Sequence, residues 1–402
     1  MPASPNSNGQ AIQPSKRVGA LIVGGDYQGL GIMRSLGRYG IPCVVIDDEY
    51  SIGSFSRYAN HSVHFKNLRE PEVVVQAVLS TGKRFGLDGW VLFPTRDETV
   101  AAFSNAHSEL RTLFRVPTPT WDTVKFAWDK RNMHRLLLEL GIPAPRTFVP
   151  LSSDDLVNID FEPPYVLKPA IKEHFFYKTS AKAWRANSRE ELRDLFHLAT
   201  DHAGSGAMLV QELIPGDGRF QFSYCALFKN GKALASMVAQ RRRQHPLEFG
   251  RASTYVMTAE NPSLETYGER FLKAIDYYGL VEVEFKFDTR DQQFKLHDVN
   301  LRTWGFHSLG ALAGVDFPHL LFLDQLGEQV DVCRAAAGVT WVRTVTDIPA
   351  SILGVFAGQL KLSEYFRSLN RPITEAVFDF QDPLPGIVEL GLLPYLVYKR
   401  GF

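Results

Sequence analysis

Hydrophobic positions recur with two different periods along the chain, and the change of period separates two kinds of structure. In the first part, apolar runs at 18–23, 43–46 and 89–93 alternate with stretches of helical spacing at 32–39 and 73–85. Strands that alternate with helices form parallel sheets. Residues 16–120 are therefore predicted to form an open parallel βαβ domain, the first part of an α/β protein.

From about residue 220 the pattern becomes that of paired antiparallel strands. Two apolar runs, 220–228 and 231–239, flank the turn signal Lys229-Asn230-Gly231. An amphipathic helix follows at 264–278, and a second hairpin then spans 282–302. This second hairpin carries the candidate chemistry.

A row of polar side chains follows one face of that hairpin. Because side chains alternate across a strand, Asp298, Asn300 and Arg302 share one face, while the residues between them point to the core. Glu284 lies in the partner strand. A solvated hairpin face would alternate in the same way, but this row has no Lys, Thr or Ser of the ordinary surface kind. We interpret Glu284, Asp298 and Asn300 as oxygen ligands for Mg²⁺, which shares one or two carboxylates with the phosphates of a substrate.

Composition and charge are those of an ordinary globular protein. The chain has 402 residues, 45% hydrophobic and 22% charged, which is enough for two or three packed units. Lys plus Arg and Asp plus Glu are 44 each, so no overall field favours nucleic acid or an anionic membrane. Three cysteines without metal or disulfide spacing favour a reducing cytoplasm, and no apolar run is long enough to span a bilayer. Residues 1–15, rich in Pro, Ser, Asn and Gln, are expected to be a disordered tail.

A glycine-rich turn follows the first predicted strand. Gly24, Gly25, Gly29 and Gly31 invite a dinucleotide interpretation, which would make the protein an NAD(P)-dependent dehydrogenase. Their spacing departs from G-x-G-x-x-G, and such turns also bind other anions at a helix N-terminus. Arg96, after the third strand, either clamps a substrate carboxylate or belongs to the start of the next helix.

Candidate nucleotide contacts lie in the middle of the chain. Lys130 lies in a single helix predicted from Asp122 to Gly141. Lys168 ends a short apolar strand, and a buried ammonium group requires an anion. A further strand at 208–212 is followed by an Ile-Pro-Gly turn.

Together these motifs resemble those of the ATP-grasp superfamily, in the family's order from residue 16 to residue 326. The similarity covers Asp129-Lys130, the lysine-ending strand, the Gln-Glu strand with its Ile-Pro-Gly turn, and the hairpin with acid, Asn and Arg at alternate positions. The sequence looks like a carboxylate–amine ligase of the D-aspartate ligase type. The resemblance implies a pre-ATP-grasp domain at 16–120, an ATP-grasp module of two α+β subdomains at 121–210 and 211–328, and a C-terminal extension of unknown role at 329–402.

The resemblance also implies roles for individual residues. ATP would contact Lys130, Lys168 and Lys182 at its phosphates, Gln211, Glu212 and Ile214 at its base, and Asp217 at its ribose. Two Mg²⁺ ions, with Mn²⁺ as a substitute, would be held by Glu284, Asp298 and Asn300. Arg302 would be catalytic, steadying the acyl phosphate and the oxyanion that follows it. Arg243 and Arg251 are the further catalytic candidates, in an arginine-lined site that neutralises the phosphates and the acid substrate, and which of Arg241, Arg243 and Arg251 point inward is left open.

The reaction implied by the resemblance joins an acid to an amine through an acyl phosphate, with release of ADP and phosphate. Both substrates would be small molecules. A dehydrogenase and a non-catalytic ATP-binding regulatory module are the alternatives. The segment 170–184 departs from the family, because it has no glycine where many members have a glycine-rich phosphate loop. The apolar segment 387–398 predicts a core or oligomer helix, or a membrane-surface segment, so a homo-oligomer is left open.

Overall fold

The computed structural model describes residues 17–171, 179, 181–203, 207–246, 250 and 252–400. Within these ranges the strands form three sheets, two of four strands and one of eight. Side chains from all three sheets line one cavity.

The N-terminal sheet is parallel, as the alternating pattern predicts. It comprises β1 (Ala20–Val23), β2 (Cys43–Asp47), β3 (Ala59–His64) and β4 (Val91–Pro94), with helices α1 (Tyr27–Arg38), α2 (Pro71–Phe85), α3 (Asp97–Asn105) and α4 (His107–Leu110). The strand order is β3-β2-β1-β4. Gly24, with φ of +98°, ends β1 in the left-handed region that favours glycine, and Asp26 then caps α1 by accepting a 3.0 Å bond from the Gln28 amide.

The second sheet is antiparallel, with the order β5-β8-β6-β7. This part of the chain contains α5 (Trp121–Trp128), α6 (Lys130–Glu139), β5 (Thr147–Phe148), β6 (Tyr165–Pro169), β7 (Trp184–Ala186), α7 (Arg189–Ala203) and β8 (Met208–Glu212). The single helix predicted from Asp122 to Gly141 is wrong. Asp129 is extended, with φ −103° and ψ 112°, and its side chain caps α6 by accepting from the Arg131 amide. The break places Lys130 at the first position of α6.

The third and largest sheet has the order β13-β12-β9-β10-β11-β15-β16, with β14 beside β10. Its strands are β9 (Gln221–Lys229), β10 (Lys232–His245), β11 (Ala252–Ala259), β12 (Gly279–Asp288), β13 (Gln293–Asn300), β14 (Cys333–Arg334), β15 (Thr340–Val342) and β16 (Ile373–Glu375). Its helices are α8 (Pro262–Ala274), α9 (Ser308–Leu312), α10 (Phe317–Gln325), α11 (Thr344–Phe356), α12 (Leu362–Ser368) and α13 (Leu384–Arg400). The segment after residue 329 therefore extends this sheet by three short strands.

Apolar clusters cover both faces of the large sheet. On one face, Trp304, Phe306 and Trp341 are buried and join the sheet to α1. On the other face, Phe271 and Leu272 of α8 pack against β9 and β12. None of the described helices is both long enough and apolar enough to cross a bilayer. Packing on both faces fixes β12 and β13, so their polar side chains have defined positions at the cavity.

Candidate active site

A cavity of about 470 Å³ lies where the three sheets meet. Arg96 and Asp97 reach it from the end of β4, Lys168 from β6, and Asp298 and Asn300 from β13. Its volume is in the range of small-molecule and cofactor sites. We therefore treat it as the candidate active site.

The hairpin of β12 and β13 supplies the acidic part of the cavity. Glu284 pairs with Asp298 and Glu282 pairs with Asn300 in antiparallel register. The register shifts by one residue just after Glu284, so His297 is an additional residue on β13, and both His297 and Asp298 line the cavity. Burial lowers the pKa of His297 to about 4, so its imidazole is neutral at pH 7. Strict alternation would have placed His297 on the other face, which is why the sequence did not indicate it.

Cations neutralise the two carboxylates that face each other across the hairpin. Lys130 Nζ bonds to Asp298 Oδ1, and the Arg241 guanidinium lies 3.3 Å from Glu284 Oε2. Burial alone would raise the pKa of Asp298, but Lys130 and Lys168 hold that pKa well below its ordinary value. Asp298 is therefore ionised at neutral pH and able to act as a metal ligand.

Asn300 and Glu282 form hydrogen bonds beside this pair. Asn300 Nδ2 donates to Glu284 Oε1 at 2.8 Å and to Glu282 Oε2 at 3.0 Å, and Ser223 Oγ donates to Glu282 Oε1 at 2.8 Å. Burial, and then the charge of Glu284, raise the pKa of Glu282 to about 7. Glu282 was not among the residues predicted from the sequence, although it precedes Glu284 by two positions and so shares its face of the strand.

The oxygen atoms of the hairpin suit Mg²⁺ when a phosphate-bearing ligand is also bound. Among the described residues, no group of three His, Cys, Asp or Glu side chains is placed to enclose a metal ion. Glu284, Asp298 and the side-chain oxygen of Asn300 are nevertheless hard ligands, and Mg²⁺ in phosphate sites completes its shell with phosphate oxygens and water. Asn300 has to turn its amide for this, since Nδ2 now faces the carboxylates. The residues therefore fit a metal that binds together with a nucleotide.

The three predicted phosphate lysines all line this cavity. Lys168 is buried, and its Nζ donates to the His297 carbonyl at 3.4 Å. Burial, and then the charge of Lys130, lower the pKa of Lys168 to about 7 in spite of the nearby carboxylates. Lys182 Nζ donates to the Gly250 carbonyl at 3.3 Å. Long bonds to carbonyl groups are readily exchanged for bonds to phosphate oxygens, which are charge-assisted. In the glycine-free segment 170–184, which with Lys182 would have to cover the phosphates, Lys172, Lys178 and residue 180 lie outside the described residues.

The predicted base-binding segment also lies at the cavity. Gln211, Glu212 and Ile214 line its wall. The Glu212 carboxylate accepts from the Arg146 amide and from Lys295 Nζ, each at 3.0 Å, and the Glu212 N–H donates to the Arg146 carbonyl at 2.9 Å. The side chain of Glu212 therefore holds the segment in place.

Two predicted site residues do not line the active-site cavity. Asp217 forms a 2.8 Å ion pair with Arg219 and lines a second cavity. Arg243 forms a 2.8 Å ion pair with the buried Asp347, and its guanidinium lies 4.0 Å from the centre of the Tyr255 ring. The assignments of Asp217 to the ribose and of Arg243 to catalysis are therefore not supported by their positions. Arg251 lies outside the described residues.

A β-bulge explains why Arg241 reaches the active-site cavity and Arg243 does not. In a regular strand, residues two apart share a face. Against β11, however, Arg241 pairs with Val256 and Arg243 pairs with the adjacent Tyr255, so Arg242 is an additional residue. One additional residue reverses the faces of those that follow. Arg243 is thereby directed to α11 and α12.

Arg302 lies at the cavity just beyond β13, where Asp97 holds it. Its Nε donates to Asp97 Oδ1 at 2.6 Å, one terminal nitrogen donates to Asp97 Oδ2 at 3.2 Å, and the same nitrogen lies 3.4 Å from Asn300 Oδ1. Burial opposes the charged form, but Asp97 raises the pKa of Arg302 above its ordinary value. The sequence signal for Asp97 was its place in the polar run after a parallel strand, where α/β sheets bind ligands.

Arg96 is engaged by acids of the protein itself. Its terminal nitrogens donate to Asp47 at 2.7 Å and to Asp48 at 2.8 Å, and Asp47 accepts a further 2.6 Å bond from the Gly25 amide. These contacts weigh against a clamp for a substrate carboxylate at Arg96. They also weigh against the dinucleotide interpretation, because the Gly25 amide already has a partner.

The chain is similar to known proteins in sequence and in structure. No family model matches the chain. A protein named D-aspartate ligase from Enterococcus faecium (strain Aus0004) is 23% identical over 298 residues, which are 70% of this chain and 70% of the relative.

Several solved structures are similar over about four fifths of this chain. The L-amino acid ligase from Bacillus licheniformis is 16% identical, with 78% of this chain and 75% of that chain covered and a TM-score of 0.61. Carboxyaminoimidazole ribonucleotide synthase from Aspergillus clavatus, complexed with ATP, is 16% identical with 80% of each chain covered and a TM-score of 0.59. The biotin carboxylase domain of Hydrogenobacter thermophilus 2-oxoglutarate carboxylase, in complex with MgADP, ADP and bicarbonate, is 15% identical with 80% and 73% covered and a TM-score of 0.62. These neighbours are ATP-grasp ligases, and the chain therefore has the ATP-grasp fold that its motifs predict.

Proposed function

We propose that this protein is an ATP-dependent carboxylate–amine ligase, which activates an acid as its acyl phosphate and transfers the acyl group to an amine. The main support is that one cavity unites Lys130 and Lys168 with Glu284, Asp298 and Asn300. ATP requires cations for its phosphates and oxygen ligands for its metal, and the cavity contains both. The similarity to a protein named D-aspartate ligase favours an amino acid as the acid.

Phosphorylation of the acid is the step that the cationic part of the cavity would assist. A carboxylate is a poor acyl donor until a phosphoryl group makes its oxygen a good leaving group. Lys130 and Lys168 would hold the phosphates, and Ile214 would contact the base. Mg²⁺ bound by Glu284, Asp298 and Asn300 would neutralise charge on the phosphates.

Arg302 is the residue best placed to stabilise the acyl phosphate and the oxyanion that follows it. Asp97 fixes its guanidinium through two hydrogen bonds, and a donor that is already oriented needs little reorganisation during the reaction. In the transfer step the C–N bond forms and the acyl C–O bond breaks. Phosphate leaves with the electron pair, and the attacking nitrogen releases a proton.

The test is an ADP-release screen over pairs of acids and amines with Mg²⁺ and ATP present, followed by mass spectrometry of the product. At least one pair should raise ADP release and give a product lighter by one water than the sum of its substrates. Asp298→Asn should then reduce ADP release by about 10³-fold, because a metal ligand and a charge partner of Lys130 are lost.

Asp291→Asn is the matched control, since Asp291 lies in the turn of the same hairpin and does not line the cavity. It should keep nearly all activity. ADP release that stays flat across the screen would contradict the proposal, and so would equal activity of the two variants. Circular dichroism of both variants separates loss of activity from loss of fold.

A further inference from the structure

A second cavity, of about 370 Å³, lies outside the active site between the large sheet and the hairpin of α11 and α12. Its wall includes β10, β11, both helices and the turn at 217–219. Five arginines contribute to it, and we call this cavity the arginine groove: Arg219, Arg242, Arg243, Arg367 and Arg371.

Two of the five arginines are neutralised by acids of the protein. Arg219 pairs with Asp217 at 2.8 Å. Arg243 pairs with Asp347 at 2.8 Å and lies between the rings of Tyr255 and Tyr365, 4.0 and 5.0 Å from their centres. Arg243 also donates to Ser368 Oγ at 2.9 Å. These contacts fix both helices of the hairpin to β10, so the groove has a rigid floor.

The other three arginines have no acidic partner among the residues that the structure describes. Arg242 donates to Gln240 Oε1 at 2.9 Å, and Arg371 contacts Met257 Sδ at 3.6 Å. Arg367 forms no ion pair within the described part of the chain. Glu364 is the one further acid in the described lining, and it is engaged in capping α12.

The excess of positive charge in the groove favours binding of an anion. The described lining contains five arginines and two carboxylates, Asp217 and Glu364, so positive charge is in excess there. Exposed arginines scattered over a convex surface would be solvated one by one. Around a concave site, an oxyanion can contact several at once, and the planar guanidinium matches phosphate oxygens in pairs.

We propose that the arginine groove is a second anion site, which binds a small phosphate-bearing molecule through Arg242, Arg367 and Arg371. The free end of a polyphosphate and the phosphate tail of a nucleotide share the chemistry required. Its volume accommodates either. The site shares no described lining residue with the active-site cavity, and anion binding there needs no turnover.

Calorimetric titration with inorganic pyrophosphate tests the site on the full chain. Lys168→Ala is used as the background, to weaken phosphate binding in the active-site cavity. One equivalent of pyrophosphate should bind, and adding Arg367→Gln and Arg371→Gln should weaken it at least about tenfold. A parallel titration with ADP separates a nucleotide from a free polyphosphate, because tighter binding of ADP shows that its nucleoside adds contacts.

Arg84→Gln with Arg111→Gln is the control of equal charge, since both arginines are exposed and neither lines the groove. It should leave pyrophosphate binding unchanged. Binding that is equally weak in both double variants, or unchanged in both, would overturn the proposal.

A second measurement locates bound pyrophosphate in the unsubstituted protein. Phenylglyoxal modifies exposed arginines, and peptide mass spectrometry should show that pyrophosphate protects Arg367 and Arg371 but not Arg84. Equal modification at all three positions with and without pyrophosphate would contradict the proposal.

Discussion

Strand β10 contributes arginines to two cavities. The cavities differ in whether their cationic side chains are paired with acids of the protein. In the active-site cavity, Lys130 contacts Asp298, Arg241 contacts Glu284, and Arg302 contacts Asp97. In the arginine groove, Arg242, Arg367 and Arg371 have no acidic partner among the described residues.

The difference implies different rules for binding. An anion that enters the active-site cavity draws lysine away from its carboxylate, and an unpaired carboxylate in a poorly hydrated site costs free energy. A metal ion that arrives with the anion removes this cost by pairing with the carboxylate. In the arginine groove, Asp217 stays paired with Arg219 and Asp347 with Arg243, and the three arginines proposed to bind the anion pair with neither acid, so an anion can bind there without a metal ion.

Removal of Mg²⁺ should therefore change ligand affinity in the active-site cavity but not in the arginine groove, and this is the largest effect that we expect. We expect the affinity for ATP to fall by about 10³-fold when EDTA replaces Mg²⁺, because the phosphates then draw Lys130 away from Asp298 and no metal ion takes its place beside the carboxylate. Pyrophosphate binding in the groove should not weaken. Both are measured by calorimetry, ATP in the Arg367→Gln/Arg371→Gln variant and pyrophosphate in Lys168→Ala, so that each titration reports on one cavity.

The comparison would fail in either of two ways. ATP that binds equally tightly without a divalent ion would show that the paired charges do not control the active-site cavity. Pyrophosphate that requires Mg²⁺ in the groove would show that acids outside the described residues contribute there.

Substitution of two arginines on the same strand should affect different properties. Arg243→Gln leaves Asp347 buried without a partner, so we expect the free energy of unfolding to fall by about 3 kcal/mol, with little change in kcat while the protein is folded. Arg241→Gln removes a cation from the active-site cavity and should lower ADP release about tenfold, with a smaller change in stability when Mg²⁺ is bound. Urea unfolding and ADP release, measured on both variants, give the two quantities.

Each variant is the control for the other, because both lose one positive charge from β10. A loss of kcat in fully folded Arg243→Gln, with stability unchanged, would return Arg243 to the catalytic role that the sequence suggested. A stability loss confined to Arg241→Gln would likewise reverse the comparison.

These two arginines also show where prediction from sequence ends. The ordered motifs predicted the fold, and the alternation of Asp298 and Asn300 predicted the polar face of the hairpin correctly. Alternation could not have given the orientation of Arg243 or of His297, because each lies beside a register shift. A one-residue shift depends on strand pairing, which local composition does not indicate.

Contacts between residues far apart in the chain set the second limit to prediction from the sequence. Asp97 and Arg302 lie 205 positions apart, and nothing in either local pattern names the other. The strands β14, β15 and β16 have two or three residues each, which is too short for a period to be recognised. Their place in the large sheet follows from tertiary packing.

The smallest expected effect concerns pH and distinguishes Lys168 from an arginine. Burial, and then the charge of Lys130, bring the pKa of Lys168 to about 7 in the free protein. A bound phosphate stabilises the ammonium form and raises this pKa, so nucleotide binding above pH 7 takes up a proton at Lys168. The affinity for MgADP should therefore fall as the pH rises above 7, by at most about tenfold per pH unit. This dependence should disappear below pH 7, where the ammonium form of Lys168 is already populated.

Calorimetry in two buffers of different ionisation enthalpy measures the number of protons taken up when MgADP binds. Lys168→Arg stays charged throughout and should lack the uptake, so a slope that persists in this variant would assign the titration to another group.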